Sequence, residues 1–220
     1  MSHDYTIEKQ NRVRQLREKA AYDKETVHAV LDAGLIAHVA FIEDGQPVVV
    51  PMLYGRRDET VFLHGARKAR IIRLLESTGT ASLNVTLVDG LVFARSAFNS
   101  SMNYRSVTVF GSARLVDDDA GKREALRIIT ERTMPGRWDE LREPLEKEVR
   151  MTGVISIDIE SASAKVSTGM PDDEDEDYRI PVWAGVLPLR AQFTTLQTDD
   201  RVLDGVEASD VVRAMEGKIL

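Results

Sequence analysis

"LIAHVAFIEDGQPVVVPMLYGRRDETVFLHG", residues 35–65, decides the fold class. LIAHVAFIE and QPVVVPMLY, both largely apolar, flank Asp44-Gly45, a dipeptide that tolerates the positive φ angles of a two-residue hairpin. A polar run from Gly55 to Glu59 then makes a second turn, and TVFLHG follows as a third strand. Three antiparallel strands thus come in direct succession. Pro51 interrupts the middle one, and its missing N–H removes a ladder bond. That interruption marks an edge or bulge, or else leaves neighbouring backbone groups free for a ligand.

Working outward, the residues before this stretch are helical in character. Residues 8–20 hold helix formers with few apolar side chains, so they form an exposed arm or a helix packed on another element. Asp23 can cap a helix whose Val27, Val30 and Leu31 share one face and whose end is marked by Gly34. Downstream, ARKARIIRLLESTG reads as a helix with Ile71, Leu74, Leu75 and Thr78 on one face and Gly79 as its stop. TASLNVTLV and LVFARSA are expected as two strands about an Asp89-Gly90 turn, with YRSVTVFGSARLV as a further long strand. Residues 118–134 and 139–151 read as helices joined through Pro135-Gly136, and Pro144 either ends a short turn or begins a new one. GVISIDIES is another strand, PDDEDED at 171–177 a solvated loop, and IPVWAGVLPL an apolar segment that must cover something. Consecutive antiparallel strands with few helices favour a closed or nearly closed barrel, which has no free sheet edges.

The 220 residues carry a net charge of −7. That balance argues against a nucleic-acid surface, so any anion site must be local. Cysteine is absent, which removes disulfides and thiolate chemistry and suits a reducing compartment. No apolar run reaches membrane-spanning length, and the first residues are charged rather than signal-like, so a cytoplasmic protein is expected.

Local features suggest where a ligand binds. In LHGARKAR, residues 63–70, Gly65 stands between a strand end and a helix start, with Arg67, Lys68 and Arg70 immediately after. Unpaired amides at a helix start, together with nearby cations, attract a phosphate, although a basic solvated helix face explains the same residues. The stretch from Arg95 to Ser106 holds more hydrogen-bonding side chains than a hairpin link needs, which invites a ligand or describes a self-satisfied polar loop. Of the four histidines, His3, His28, His38 and His64, none is spaced from another as in zinc or di-iron sites, so no metal site is expected. His38 reads as a core residue of a strand. His64, beside the phosphate-like turn, is a candidate ligand contact or proton donor. Trp183 is a hydrophobic anchor or stacks on a planar ligand.

Taken in order, "QPVVVPMLY", "FLHGARKAR", "DGLVFARSAFNSSMNYRSVTVFG" and "VWAGVLPL" resemble the FMN-binding split-barrel family related to pyridoxamine phosphate oxidase. Within it they are similar to the flavin-nucleotide-binding subgroup that includes nitroimidazole-resistance proteins. The resemblance spans roughly residues 20–190 and implies a mainly β (α+β) fold, a six-stranded antiparallel Greek-key split barrel with peripheral helices. The implied division is an N-terminal arm or helix over 1–22, a flavin domain over 23–190 and a C-terminal extension over 191–220. FMN is the implied cofactor, bound at the interface of a homodimer, with a deazaflavin as an alternative that shares the fold. In such proteins the strand matching Val50, Pro51, Met52 and Leu53 offers backbone groups to the flavin ring. The turn after His64 and Gly65 holds the ribityl chain and phosphate at positions matching Ala66, Arg67 and Lys68, where Ala66 replaces a hydroxyl residue common in relatives. The loop of Ser101, Met102, Asn103, Tyr104 and Arg105 is implied to reach the flavin pocket from the partner subunit, Trp183 to lie among the cofactor contacts, and His64 to lie near substrate as the candidate catalytic residue. The implied activity is flavin-dependent oxidoreduction of a small molecule such as a nitroaromatic. The alternative is a flavin or haem carrier or sensor without turnover. The pyridoxamine phosphate pocket of the family enzyme has no match after residue 190, which argues against vitamin synthesis.

Overall fold

The computed structural model describes residues 3–220. Met1 and Ser2, the first residues of the expected arm, lie outside the described residues. The first half of the chain contains β1 (Ala20–Ala21), α1 (Lys24–Ala33), β2 (Ile36–Glu43), β3 (Gln46–Arg57), β4 (Thr60–Ala66) and α2 (Arg70–Thr78). Then come β5 (Thr80–Phe93), β6 (Ser101–Leu115), α3 (Asp119–Thr133), α4 (Glu146–Met151), β7 (Thr152–Ser167), β8 (Gly185–Pro188) and α5 (Asp210–Arg213). The strands hydrogen-bond in the order β1-β7-β4-β3-β2-β5-β6, β8 joins β5, and β6 also pairs with β7. The six long strands β2 to β7 therefore form a closed cycle of neighbours, the connectivity of a split barrel. The fold is mainly antiparallel β with several helices, as the sequence implied.

Contacts divide the chain into two compact units. One comprises Met1–Pro51, Thr80–Ser112 and Ile159–Arg190; the other comprises Met52–Gly79, Ala113–Asp158 and Ala191–Leu220.

In the first unit, α1 forms as expected. The Asp23 carboxylate accepts from the Thr26 N–H at 2.8 Å, and Val27, Val30 and Leu31 are buried. Asp44 and Gly45 have φ of 50° and 76°, the pair of left-handed residues a tight hairpin needs between β2 and β3. Ala37, Val39 and Phe41 of β2 point inward, while Ile36, His38 and Ile42 are exposed. His38 is thus not a core residue; strand alternation puts it on the outer face. No α-helix forms over residues 8–20, where the sequence allowed one; only a single 3-10 turn, Arg17–Lys19, is helical. Too few apolar residues are present to bury a helix face, and Asn11 ties the chain down through a turn instead. Its amide donates to the carbonyls of Ala162 at 3.0 Å and Thr6 at 2.9 Å, and its Oδ1 accepts from the Glu8 N–H at 2.7 Å. Asp89-Gly90 is likewise not a turn. β5 runs through it as one 14-residue strand, with a register shift between Val88 and Gly90 that marks a bulge. The long partner β6 continues the ladder on both sides and overrides the local turn preference.

In the second unit, α2 starts at Arg70 rather than at Ala66 and buries Ile71, Ile72 and Leu75. Gly79, at φ 65°, ends it in the left-handed conformation. α3 packs close against β3: a Cβ on Gly55 would meet the backbone of Ile128 and Ile129 at 2.9 Å. The second helix expected over 139–151 is reduced to α4 behind Pro144, because the proline ring disfavours helical backbone in the residue before it.

Two outcomes follow. Gly55→Ala should destabilise the protein by about 1–3 kcal/mol, since backbone rather than a flexible side chain must yield; urea unfolding would show a lower midpoint at unchanged slope. Asp23→Ala should cost about 0.5–2 kcal/mol through loss of the α1 cap, measured in the same way.

Candidate functional site

The residues singled out in the sequence fall into two groups, one in each unit, with β3 carrying Val50 and Pro51 in the first and Met52 and Leu53 in the second.

The group in the second unit is built on the end of β4. The β3–β4 register runs from Arg57↔Thr60 to Tyr54↔Leu63, whereas β4 stays paired with β7 for three residues more, through His64↔Val154, Gly65↔Gly153 and Ala66↔Thr152. Met52 and Leu53 therefore lie where β3 has left the β4 ladder. Met52 is buried and Leu53 exposed. The Nδ1 atom of His64 is buried without a hydrogen-bond partner among the described residues. An unpaired buried nitrogen of this kind costs about 1–3 kcal/mol unless a ligand satisfies it. Burial pushes the His64 pKa below the ordinary histidine value, so the ring is neutral at pH 7 and keeps a lone pair.

Gly65 faces Gly153 across the β4–β7 pair, and a Cβ on Gly153 would stand 2.7 Å from Ile72 Cγ2 and 3.2 Å from Arg67 Cα, whereas a Cβ on Gly65 would meet Ile72 only at ordinary contact distance. Gly153 is thus what lets α2 and the preceding turn lie directly on the strands. Ala66 ends β4, and Arg67 and Lys68 form the turn, which precedes the helix rather than opening it. The Arg67 guanidinium donates to both carboxylate oxygens of Glu76 at 3.0 and 3.1 Å, so it is engaged within its own unit. Lys68 is exposed. α2 has no side-chain cap at Ala69 and no acidic residue in its first turn, and Arg70 is its first residue. The dipole at this N-terminus is therefore not offset by a carboxylate of the helix's own first turn.

The group in the first unit is built on the end of β5. Ser101, Met102, Asn103, Tyr104 and Arg105 are not loop residues; they open β6 and pair with β5 from Val92↔Ser101 to Leu87↔Arg105. The connecting loop is Ala94–Ser100, and much of its polarity is used internally. The Ser96 hydroxyl accepts from the Asn99 N–H at 3.1 Å, and the Ser100 hydroxyl donates to the Ser96 carbonyl at 2.8 Å and accepts from the Ala94 N–H at 3.2 Å. Arg105 makes a two-point pair with Asp89 at the bulge, at 2.9 and 2.7 Å, and this hydrogen bonding holds the guanidinium more firmly protonated. On the other side of β5, Phe93 pairs with Gly185 of β8, and the Phe93 and Trp183 rings lie 5.9 Å apart at 55°. Trp183 is 69% exposed. The structure thus gathers Ser101, Met102 and Trp183 around the end of one strand.

Sequence reading placed Arg95 in a polar stretch that invites a ligand but missed its partner, Asp173. The acidic run containing Asp173 is not wholly solvated. The Asp173 side chain is fully buried, its Oδ1 accepting from the Arg95 N–H and its Oδ2 from Arg95 Nη1, both at 2.9 Å. No residue type in PDDEDED distinguishes this carboxylate from its neighbours. Among the described residues no group of three His, Asp or Glu side chains is placed to hold a metal ion, and no helix is long and apolar enough to cross a membrane.

A family model described as pyridoxamine 5′-phosphate oxidase matches residues 23–166. Among solved structures, the chain is 40% identical to the flavocytochrome Anf3 from Azotobacter vinelandii, covering 96% of this chain and 98% of that one at a TM-score of 0.90. It is 38% identical to an FAD and haem binding protein from Mycobacterium smegmatis, covering 90% of this chain and 98% of that one at a TM-score of 0.86. A candidate 5-nitroimidazole antibiotic resistance protein from Bacteroides thetaiotaomicron shares the fold at 22% identity and a TM-score of 0.58, over 67% of this chain and 86% of that one. No curated protein matches the chain. With the model matching most of the chain and two solved relatives near 40% identity over nearly their whole length, the protein belongs to the pyridoxamine 5′-phosphate oxidase family.

Proposed function

We propose that this protein binds a flavin nucleotide and a haem, and works as a redox protein that passes electrons between a donor such as a nicotinamide and a small acceptor. The observation that carries this reading is His64, a neutral imidazole with a buried, unpartnered nitrogen at the point where β3 leaves β4. A neutral imidazole is the form that ligates haem iron or accepts a hydrogen bond from a cofactor. The similarity to a flavocytochrome and to an FAD and haem binding protein supports FAD with haem over the FMN implied by sequence resemblance. A bound flavin supplies hydride and single-electron chemistry, while the protein orients it and sets its electrostatic surroundings.

In this reading Lys68 and the uncapped start of α2 hold phosphate, and the backbone of Val50 to Leu53 borders the ring. Ser101 to Tyr104 and Trp183 supply further contacts from the partner subunit of the proposed homodimer. Arg67 and Arg105, each already paired with a carboxylate, contribute by fixing their turns. The flavin domain is residues 23–190, with 191–220 as an extension. We also propose a cytoplasmic homodimer. Its support is the apolar surface the first unit leaves exposed on β2, β3 and β5, at Ile36, Ile42, Val49, Leu91 and Phe93. A carrier or sensor without turnover shares every one of these features and differs only in kinetics.

Mass spectrometry of ligand extracted from the purified protein tests the cofactor, and stopped-flow reduction by nicotinamides tests turnover, with a nitroaromatic as one acceptor to assay. Protein that takes up neither flavin nor haem on reconstitution overturns the reading. Lys68→Glu should weaken flavin binding by about ten- to hundredfold, the equivalent of one bond to a charged group, and leave circular dichroism unchanged. Lys147→Glu on α4 is the control. His64→Ala should keep the fold and the flavin but lose haem absorbance; full haem content in that variant would return His64 to a structural role.

A further inference from the structure

Residues 168–184, which link β7 to β8, grip the β5–β6 hairpin end at three places within the first unit. At the start of the link, the Asn103 amide donates to the Gly169 carbonyl at 3.0 Å, and Gly169 has φ 118°, a backbone state that side chains rarely allow. In the middle, Asp173 takes two hydrogen bonds from Arg95, and the Arg95 guanidinium lies 4.8 Å from the Tyr178 ring centroid. At the far end, Trp183 packs on Phe93 and against Gly185, where a Cβ would meet the indole at 2.8 Å. The hairpin is thus held on both sides of Ser96–Ser100, at Arg95 within the loop and at Asn103 in β6.

Asp173 is the costly member of this set. Asp172 and Glu174 beside it are exposed, yet Asp173 is drawn out of water between them. Burial alone would raise its pKa, but the backbone N–H and guanidinium of Arg95 outweigh that effect and hold it below the usual carboxylate range. A buried carboxylate survives only if its partners are fixed, so the backbone and side chain of Arg95, in the loop, are fixed with it.

We propose that Asp173 is a positioning residue for the cofactor site, acting through Arg95 to set the hairpin end that presents Ser101, Met102 and Asn103. This inference rests on the reading above that those residues contact a flavin. It assigns the acidic segment a part in binding, although the cofactor phosphate and this carboxylate have the same sign of charge. Asp173 would act as a clamp, without touching the ligand.

The test compares wild type, Asp173→Ala, Asp173→Asn and Asp172→Ala by hydrogen exchange of the cofactor-free protein and by FAD titration followed through flavin fluorescence. Asp173→Ala should speed exchange in residues 94–103 and weaken FAD binding by about tenfold. Asp173→Asn, which keeps the acceptor for the Arg95 N–H, should recover part of both effects. Asp172→Ala should match wild type. Unchanged exchange at 94–103 in Asp173→Ala overturns the inference, and so does faster exchange with unchanged FAD affinity, which would make the clamp purely structural. If wild-type protein itself takes up no FAD, the functional reading fails and the inference fails with it, an outcome distinct from a variant that binds as well as wild type.

Discussion

The long ladder between β4 and β7 is the constraint on which the second unit depends. From Thr60↔Asp158 to Ala66↔Thr152 it satisfies the β4 backbone on one side, even after β3 has parted from β4 beyond Tyr54↔Leu63. Without it, the end of β4 would be an unsupported strand tip. With it, His64, Gly65 and Ala66 are held rigidly beside an opening in the ladder, and the turn into α2 is fixed by the Arg67 N–H donating to the Met151 carbonyl at 2.8 Å. A sheet that splits while one half stays fully paired can border a ligand without fraying.

Glycine governs how closely the helices approach this frame. Gly55 admits the α3 backbone, and Gly153 admits Ile72 and the turn at Arg67. Both glycines have extended backbones, so what matters is the missing side chain and not conformational freedom. The same residue type does different work at Gly45 and Gly79, where positive φ is needed to turn the chain.

Charge is handled pairwise. Arg67 with Glu76, Arg105 with Asp89 and Arg95 with Asp173 each commit a cation that sequence alone would leave available to a ligand. The exposed pairs add little to stability, and their value lies in fixing turns. The first turn of α2 holds no acidic residue, so its helix dipole is not offset from within the helix.

Much of the fold was legible in the sequence because it is encoded locally. Asp44-Gly45 makes the tight turn its chemistry favours, Asp23 and Gly34 bracket a helix whose apolar spacing is 3.6 residues, and Gly79 stops another. The order of short motifs was enough to indicate the family, since each marks a chain position that the frame requires. Local signals failed where a distant partner outweighed them. Asp89-Gly90 has the chemistry of a turn, yet β6 pairs across it and makes it a bulge. Ser101 to Arg105 looks like loop, yet β5 draws it into a strand. The candidate site was only partly visible for the same reason: His64 could be named from its place beside Gly65, but that its Nδ1 is buried without a partner depends on what packs around it. One carboxylate in PDDEDED became buried only because the link after β7 passes over Arg95. Sequence by itself determined turns, caps and strand alternation, which are set by a few neighbouring residues; tertiary structure decided which polar groups are spent on one another and which are left for a ligand, because those pairings join residues far apart in the chain.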